Sequence, residues 1–220
     1  MNNIYGMIFS ILYIGTVIFI STLFTKAGKE ASRKFIHIML SNWWIIAMVF
    51  FDNAISASLL PAIFVIVNYL SYKYDIIKSM ERDDEPKSSR TLGTVYYAIS
   101  LLVISILTFG ILKNPLLGLV GIAVMGYGDG FAAIAGKGIK SRHFKIFGSD
   151  KSLAGSTTMF IISLIIIAGG MVYMNIANWP IKAILTAIVA TLLEAISPKG
   201  TDNITVPIIT TIVTWICTII

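Results

Sequence analysis

Apolar stretches of about 20 residues recur along this chain, separated by a few short charged segments. A hydrocarbon core ~30 Å thick is crossed by a helix of about 20 residues, so the pattern is that of a chain that traverses a bilayer repeatedly. Spans are expected at 4–24, 36–52, 54–72, 93–112, 115–136, 153–174, 179–196 and 204–220. That makes about eight, with seven the lower count because 36–52 is short and 204–220 is weakly apolar. Lipid forces backbone polar groups to bond within the protein, and barrel strands of about ten alternating residues are not seen. The expected fold is all-α: one polytopic transmembrane helix bundle over residues 1–220. Only 13% of residues are charged, against roughly 25% in soluble domains.

Those charges are unevenly placed. Of the 17 Lys and Arg, only Lys113 and Lys182 fall on one side of the expected spans. The others crowd into 25–37, 73–92, 137–151 and the 197–203 turn. By the positive-inside rule the crowded side faces the cytoplasm, and eight spans then put both termini outside. Of the 11 acids, only Asp52 falls clearly on the other side. Positive-inside topology does not require that, but a reaction site at the cytoplasmic face accounts for it. The acids of 75–85 also serve simply to solvate the longest loop. The net charge of +6 comes without a soluble basic domain, which sets nucleic-acid binding aside. Cys217, the single cysteine, reads as a small apolar packing residue. The N-terminus lacks a basic n-region and a small-residue cleavage site, so 4–24 is expected to be retained.

Asp129 is the sharpest chemical signal. It lies in Gly126-Tyr127-Gly128-Asp129-Gly130, about 14 residues or ~21 Å into an apolar span. A mid-helix acid costs about 2.5–3.5 kcal/mol in lipid, so it has a partner or a job. The glycines permit close backbone approach or local unwinding. Glu194 reaches a similar depth in its own span, and Asp202 and Asn203 follow after one short turn. Three carboxylates at one level suit a hard cation such as Mg2+, with Mn2+ a substitute. Arg33, Lys34, Arg90, His143 and Lys151 are candidate basic partners. Arg33 and His37 are four apart and share a helix face. Lys151-Ser152-Leu153-Ala154-Gly155-Ser156 opens a helix with a Lys and hydroxyls, and helix N-termini bind anions. An ordinary Ser cap produces the same pattern. Trp43, Trp44, Trp179 and Trp215 read as interface anchors. Pro207 is expected to break the start of the last span. Gly130 to Gly136-Lys137 is not a P-loop, because five residues intervene instead of four and Gly138 replaces Ser or Thr.

Taken in order, these motifs resemble the CTP-dependent lipid-alcohol kinase family, which includes dolichol kinase, phytol kinase and yeast-type diacylglycerol kinase. The resemblance rests on Arg33-Lys34-x-x-His37, Arg90-x-x-Gly93-Thr94-Val95-Tyr96-Tyr97 and Gly128-Asp129-Gly130-x-Ala132. It continues through Lys151-Ser152-x-x-Gly155-Ser156, Glu194-Ala195 and Asp202-Asn203-x-x-Val206-Pro207. Gly136-Lys137-Gly138 departs from the family's Gly-Arg and Gly-rich turn. The resemblance implies phosphoryl transfer from CTP to a membrane-embedded alcohol of prenol, dolichol or diacylglycerol type. It implies Asp129 and Asp202 on the metal, and Arg33, Lys34, Arg90, Lys151, Ser152, Gly155, Ser156 and Asn203 toward phosphates and nucleotide. Glu194 or His37 accepts the alcohol proton, with the choice open. A cytidylyltransferase making a CDP-lipid would use the same groups. A proton or cation transporter is the alternative of another class, but the outer halves of the spans lack a polar path. A non-catalytic membrane scaffold would not need Asp129 at all. Oligomeric state is open.

Overall fold

Seven described helices are long and apolar enough to cross a membrane. The computed structural model describes residues 2–24, 29–74, 91–147, 149–198 and 200–220. Arg90 and the acids of 75–85 lie outside the described residues. The chain packs as two units, Met1–Lys113 and Asn114–Ile220.

The first unit contains α1 (Asn2–Phe24), α2 (Lys29–Ser41), α3 (Trp43–Phe50), α4 (Ala54–Tyr74) and α5 (Gly93–Ser105). A π-helical stretch, Ile106–Ile111, continues α5. The span expected at 36–52 is replaced by α2 and α3, which break at Asn42. The apolar window missed the start of α2 because its first turns carry Lys29, Arg33 and Lys34. Helix α1 is apolar along most of its length, so a few hydrogen bonds do the joining. The Ser32 hydroxyl donates to the Ser21 carbonyl at 2.8 Å, and the Tyr13 hydroxyl donates to the Met39 carbonyl at 2.6 Å. Both bonds hold α2 against α1. The Trp43 indole N–H donates to Ser10 Oγ at 2.9 Å and fixes α3 on α1. Trp43 and Trp44 are buried, and Trp44 packs on Phe109 with ring centroids 5.9 Å apart. These two tryptophans are core residues rather than the interface anchors expected, because the indole of Trp43 has its polar partner inside the protein. At the far end of α1 the Asn3 side-chain amide donates to Asp52 Oδ1 at 2.9 Å. That bond, with one from Asn53, holds the Asp52 carboxyl below its ordinary range.

The second unit contains α6 (Pro115–Ala123), α7 (Gly130–Gly138), α8 (Leu153–Tyr173), α9 (Trp179–Ile196) and α10 (Asp202–Ile219). A π-helical stretch, Val124–Asp129, joins α6 and α7 into one 24-residue span. Helix α8 packs on α7 and α9, and α10 packs on α6 and α9. An antiparallel hairpin, β1 (His143–Ile146) and β2 (Ser149–Ser152), precedes α8. The expected all-α fold holds for the spans, and this hairpin is an addition to it. Pro207 does not break α10 but lies within its second turn. Its carbonyl accepts from Thr211 Oγ1 at 2.8 Å, and a proline this near a helix start costs less than one in mid-helix, because few intrahelical N–H bonds precede it.

Replacing Ser10 with Ala removes the only acceptor described for the Trp43 indole. The expected outcome is a loss of about 1 kcal/mol, near the value of hydrogen bonds between membrane helices. Thermal unfolding of the purified variant in detergent checks it.

Candidate active site

The site is built in the second unit, where three chain segments return to the same end of the spans. The first is the Asp129 segment. A π-helical stretch inserts an extra residue into the helical ladder, and such stretches often mark functional sites. Here it carries Gly126 and Gly128 and ends on Asp129. The helix is widened at the glycines and not unwound. Lack of a side chain lets Gly128 approach α8, where a Cβ would come 2.6 Å from Met159 Sδ and 3.4 Å from Ser163 Oγ. Asp129 is half-buried, and the π segment packs against α8 and α10.

The second segment is the hairpin with the start of α8. Strand β2 places Lys151 opposite Phe144 and Ser152 opposite His143. His143 also faces Asp150 across the hairpin at 3.7 Å, with both side chains exposed. Ser152 is the N-cap of α8, and its hydroxyl accepts from the Gly155 N–H at 3.1 Å. The Leu153 N–H donates to the Arg142 carbonyl, and the Ala154 N–H donates to Ser141 Oγ. The first three N–H groups of α8 are therefore bonded within the protein. The anion-binding helix end expected at Ser152 and Gly155 is instead a closed cap. Gly155 serves packing: a Cβ there would lie 3.0 Å from the Ala132 carbonyl, and one at Gly136 would lie 2.8 Å from Ser152 Oγ. The Ser156 hydroxyl is buried and has no hydrogen-bond partner among the described residues.

The third segment is the end of α9 with the start of α10. Lys151 Nζ donates to Glu194 Oε1, with side-chain exposures of 15% and 7%. Ser149 Oγ donates to the Ser197 carbonyl at 3.4 Å, and Ser197 and Thr205 hydroxyls meet at 2.8 Å. These bonds tie the hairpin, α9 and α10 together around the ion pair. Gly200 has φ 84°, a conformation that glycine adopts freely, and it turns the chain into α10. Asp202 Oδ1 accepts from the Asn203 N–H at 2.9 Å and from its side-chain amide at 3.2 Å. The same amide donates to the Gly200 carbonyl at 3.0 Å. Asn203 thus positions Asp202 in the first turn, where the helix dipole favours a carboxylate.

The structure pairs two residues expected to have separate roles: Glu194 is held by Lys151. Among the described residues no three His, Cys, Asp or Glu side chains gather as metal ligands. The expected meeting of three carboxylates is corrected accordingly, because Glu194 has its counter-ion in Lys151. Of the remaining acids, Asp129 ends the π-helical stretch that packs on α10, and Asp202 lies in the first turn of α10. Arg33, Lys34 and His37 lie on α2 in the first unit, and His37 packs against Tyr97 with the rings tilted 40° and their centroids 4.9 Å apart. Sequence reasoning missed Asn68, an amide buried in the apolar span α4. The test that singled out Asp129, a polar side chain inside a span, would have found it.

Fold and site thus define a multi-pass helical membrane protein with ionised groups drawn in among its spans at one end of the second unit. The chain is homologous to proteins named phytol kinase, which bears out the resemblance to the lipid-alcohol kinases. It is 29% identical over 219 residues to a phytol kinase of Synechocystis sp. (strain ATCC 27184 / PCC 6803 / Kazusa), covering 92% of this chain and 87% of that protein. It is 30% identical over 207 residues to a probable chloroplastic phytol kinase 1 of Oryza sativa subsp. japonica. That alignment covers 86% of this chain and 64% of the rice protein. The corresponding figures for a probable chloroplastic phytol kinase of Triticum aestivum are 29% identity, 86% and 67%. The chain therefore spans about two thirds of the plant relatives' length. No family model matches the chain, and no solved structure matches it.

Lys151→Met leaves the Glu194 carboxylate buried without its counter-charge. A loss of about 3 kcal/mol is expected, the scale for breaking a buried pair from one side. Adding Glu194→Leu should restore most of it. Unfolding of the single and double variants in one detergent provides the comparison, and a single variant as stable as wild type would contradict the buried pair.

Proposed function

We propose that the chain transfers a phosphoryl group from CTP to the hydroxyl of a membrane-embedded prenol of the phytol type. The observation that carries this reading is the similarity to a phytol kinase along 92% of the chain. The geometry of the second unit supports it. Phosphoryl transfer needs positioned charge more than covalent chemistry. Asp129 and Asp202 would hold Mg2+, which supplies charge neutralisation to the phosphates when bound. Support comes from the packing of the Asp129 segment against α10, whose first turn carries Asp202.

Lys151 is the proposed phosphate contact of this unit. Its ammonium rests on Glu194 in the protein as described, and an incoming phosphate competes for the same three N–H donors. The alcohol oxygen forms a bond to the γ-phosphorus, the bond to the bridging oxygen breaks, and CDP leaves. The alcohol proton passes to Glu194 or to His37, the two candidate acceptors. Arg33, Lys34 and Arg90 as phosphate contacts rest on the sequence resemblance. The crowding of Lys and Arg on one side of the spans supports a reaction at the cytoplasmic face.

Purified protein given CTP labelled in the γ-phosphate, phytol and Mg2+ should yield labelled phytyl phosphate and CDP. EDTA should abolish turnover, and Mg2+ or Mn2+ should restore it. A panel with dolichol, diacylglycerol and other nucleoside triphosphates defines the acceptor and donor. Failure to phosphorylate any alcohol would sink the reading, and pyrophosphate with a CDP-lipid would replace it with cytidylyl transfer.

A further inference from the structure

The first unit contains a partly open groove lined by residues of α1 to α5. Its walls are almost wholly apolar: Ile14, Leu40, Trp43, Leu60, Phe64 and Leu101 are representative. Two of the lining side chains are polar, Asn68 and Tyr97. Both are more than nine-tenths buried, at 8% and 6% exposure. The Asn68 amide N–H donates to the Thr94 carbonyl at 3.0 Å, which orients the side chain. Asn68 Oδ1 and the Tyr97 hydroxyl have no hydrogen-bond partner among the described residues. A buried polar atom without a partner costs about 1–3 kcal/mol, so two in one apolar groove call for a ligand that satisfies both.

Their placement gives the groove a direction. Asn68 lies six residues before the end of α4 at Tyr74, and Tyr97 lies four residues after the start of α5 at Gly93. At 1.5 Å per residue these are ~9 Å and ~6 Å below the same end of the unit. Leu60, Phe64 and Asn68 follow at steps of four along α4, so apolar wall extends ~12 Å away from the polar pair.

We infer that this groove is the binding site for the prenol, with the hydroxyl at Asn68 and Tyr97 and the isoprenoid chain along α4 and α5. The assignment rests on the proposed kinase reading for the class of ligand. The chemistry of the pair selects among lipids. An alcohol donates one hydrogen bond and accepts others, so it can donate to Asn68 Oδ1 while accepting from the Tyr97 hydroxyl. An acyl chain offers neither. A phosphate dianion only accepts, and it sets its charge against the Asn68 carbonyl oxygen. The groove therefore favours substrate over phosphorylated product. The ring of Tyr97 packs at a tilt against His37, which connects a residue of the Arg33-Lys34-x-x-His37 motif to the hydroxyl end of the groove.

The test uses the full chain in phospholipid nanodiscs and phytol carrying a photoreactive diazirine in its chain. Adducts are expected on the peptides containing Leu60–Phe64 and Ala98–Leu101. Unlabelled phytol should compete them away, whereas phytyl phosphate and hexadecane should not. Adducts spread over lipid-facing helices, or equal competition by hexadecane, would overturn the assignment in favour of a groove filled by any chain. In the kinase assay, Tyr97→Phe and Asn68→Leu should each raise KM for phytol about tenfold and leave KM for CTP unchanged. Phe64→Trp, which fills the groove without touching the polar pair, should raise it likewise. Unchanged KM values in an active kinase would remove the site and leave the kinase reading intact. Groove labelling in a protein that phosphorylates no alcohol would remove the kinase reading and leave an alcohol-binding site.

Discussion

A polar group inside a bilayer must find its partner within the protein, and the arrangement of both units follows from that constraint. Span hydroxyls turn back on their own helices: Thr108 donates to the Ile104 carbonyl, Thr186 to Lys182 and Thr214 to Thr210, each at 2.8 Å. Others reach across, as Ser10 does to Trp43 and Ser32 to Ser21. Hydrophobic burial contributes little between helices already in lipid, so these few bonds and the close packing at glycines set which helices neighbour each other. Lys151 and Glu194 apply the same rule to full charges. Among the described groups that escape it, Asn68 Oδ1 and the Tyr97 hydroxyl belong to side chains that line one apolar groove.

The π-helical stretch at Val124–Asp129 connects fold to chemistry. A regular helix would keep α6 and α7 in one register and place Asp129 wherever that register put it. The extra residue re-aims the following turn, and the glycines at 126 and 128 remove the side chains that would resist it. The acid ends half-buried in a segment that packs on α8 and α10. Because the hairpin, α9 and α10 are tied together by Ser149, Ser197 and Thr205, the ion pair and Asp202 are carried on one connected frame.

Much of the frame was legible in the sequence because hydrophobic length sets a span and a charge ends it. The span expected at 179–196 is α9, and most of the others agree at both ends to within two residues. The window rule failed at α2, whose charges lie inside the helix, and at α3, which is too short to register. It failed for the hairpin because two four-residue strands in a charged loop leave no periodic signal. Asp129 was legible from its burial alone. The pairing of Lys151 with Glu194 was not, since 43 residues separate them and only the fold brings them together. Trp43 and Trp44 looked like interface anchors because composition alone does not show that a Ser on another helix accepts the indole N–H.

In the proposed kinase reading, Asp129 lies in its span to perform chemistry and not to hold helices together. Asp129→Asn keeps the shape and the hydrogen-bonding capacity while removing the charge. The variant should insert and unfold like the wild type, yet lose at least about 10²-fold in the rate of prenol phosphorylation, the scale for deleting one preorganised electrostatic contact. A folded Asp129→Asn protein that phosphorylates phytol at the wild-type rate would contradict the account.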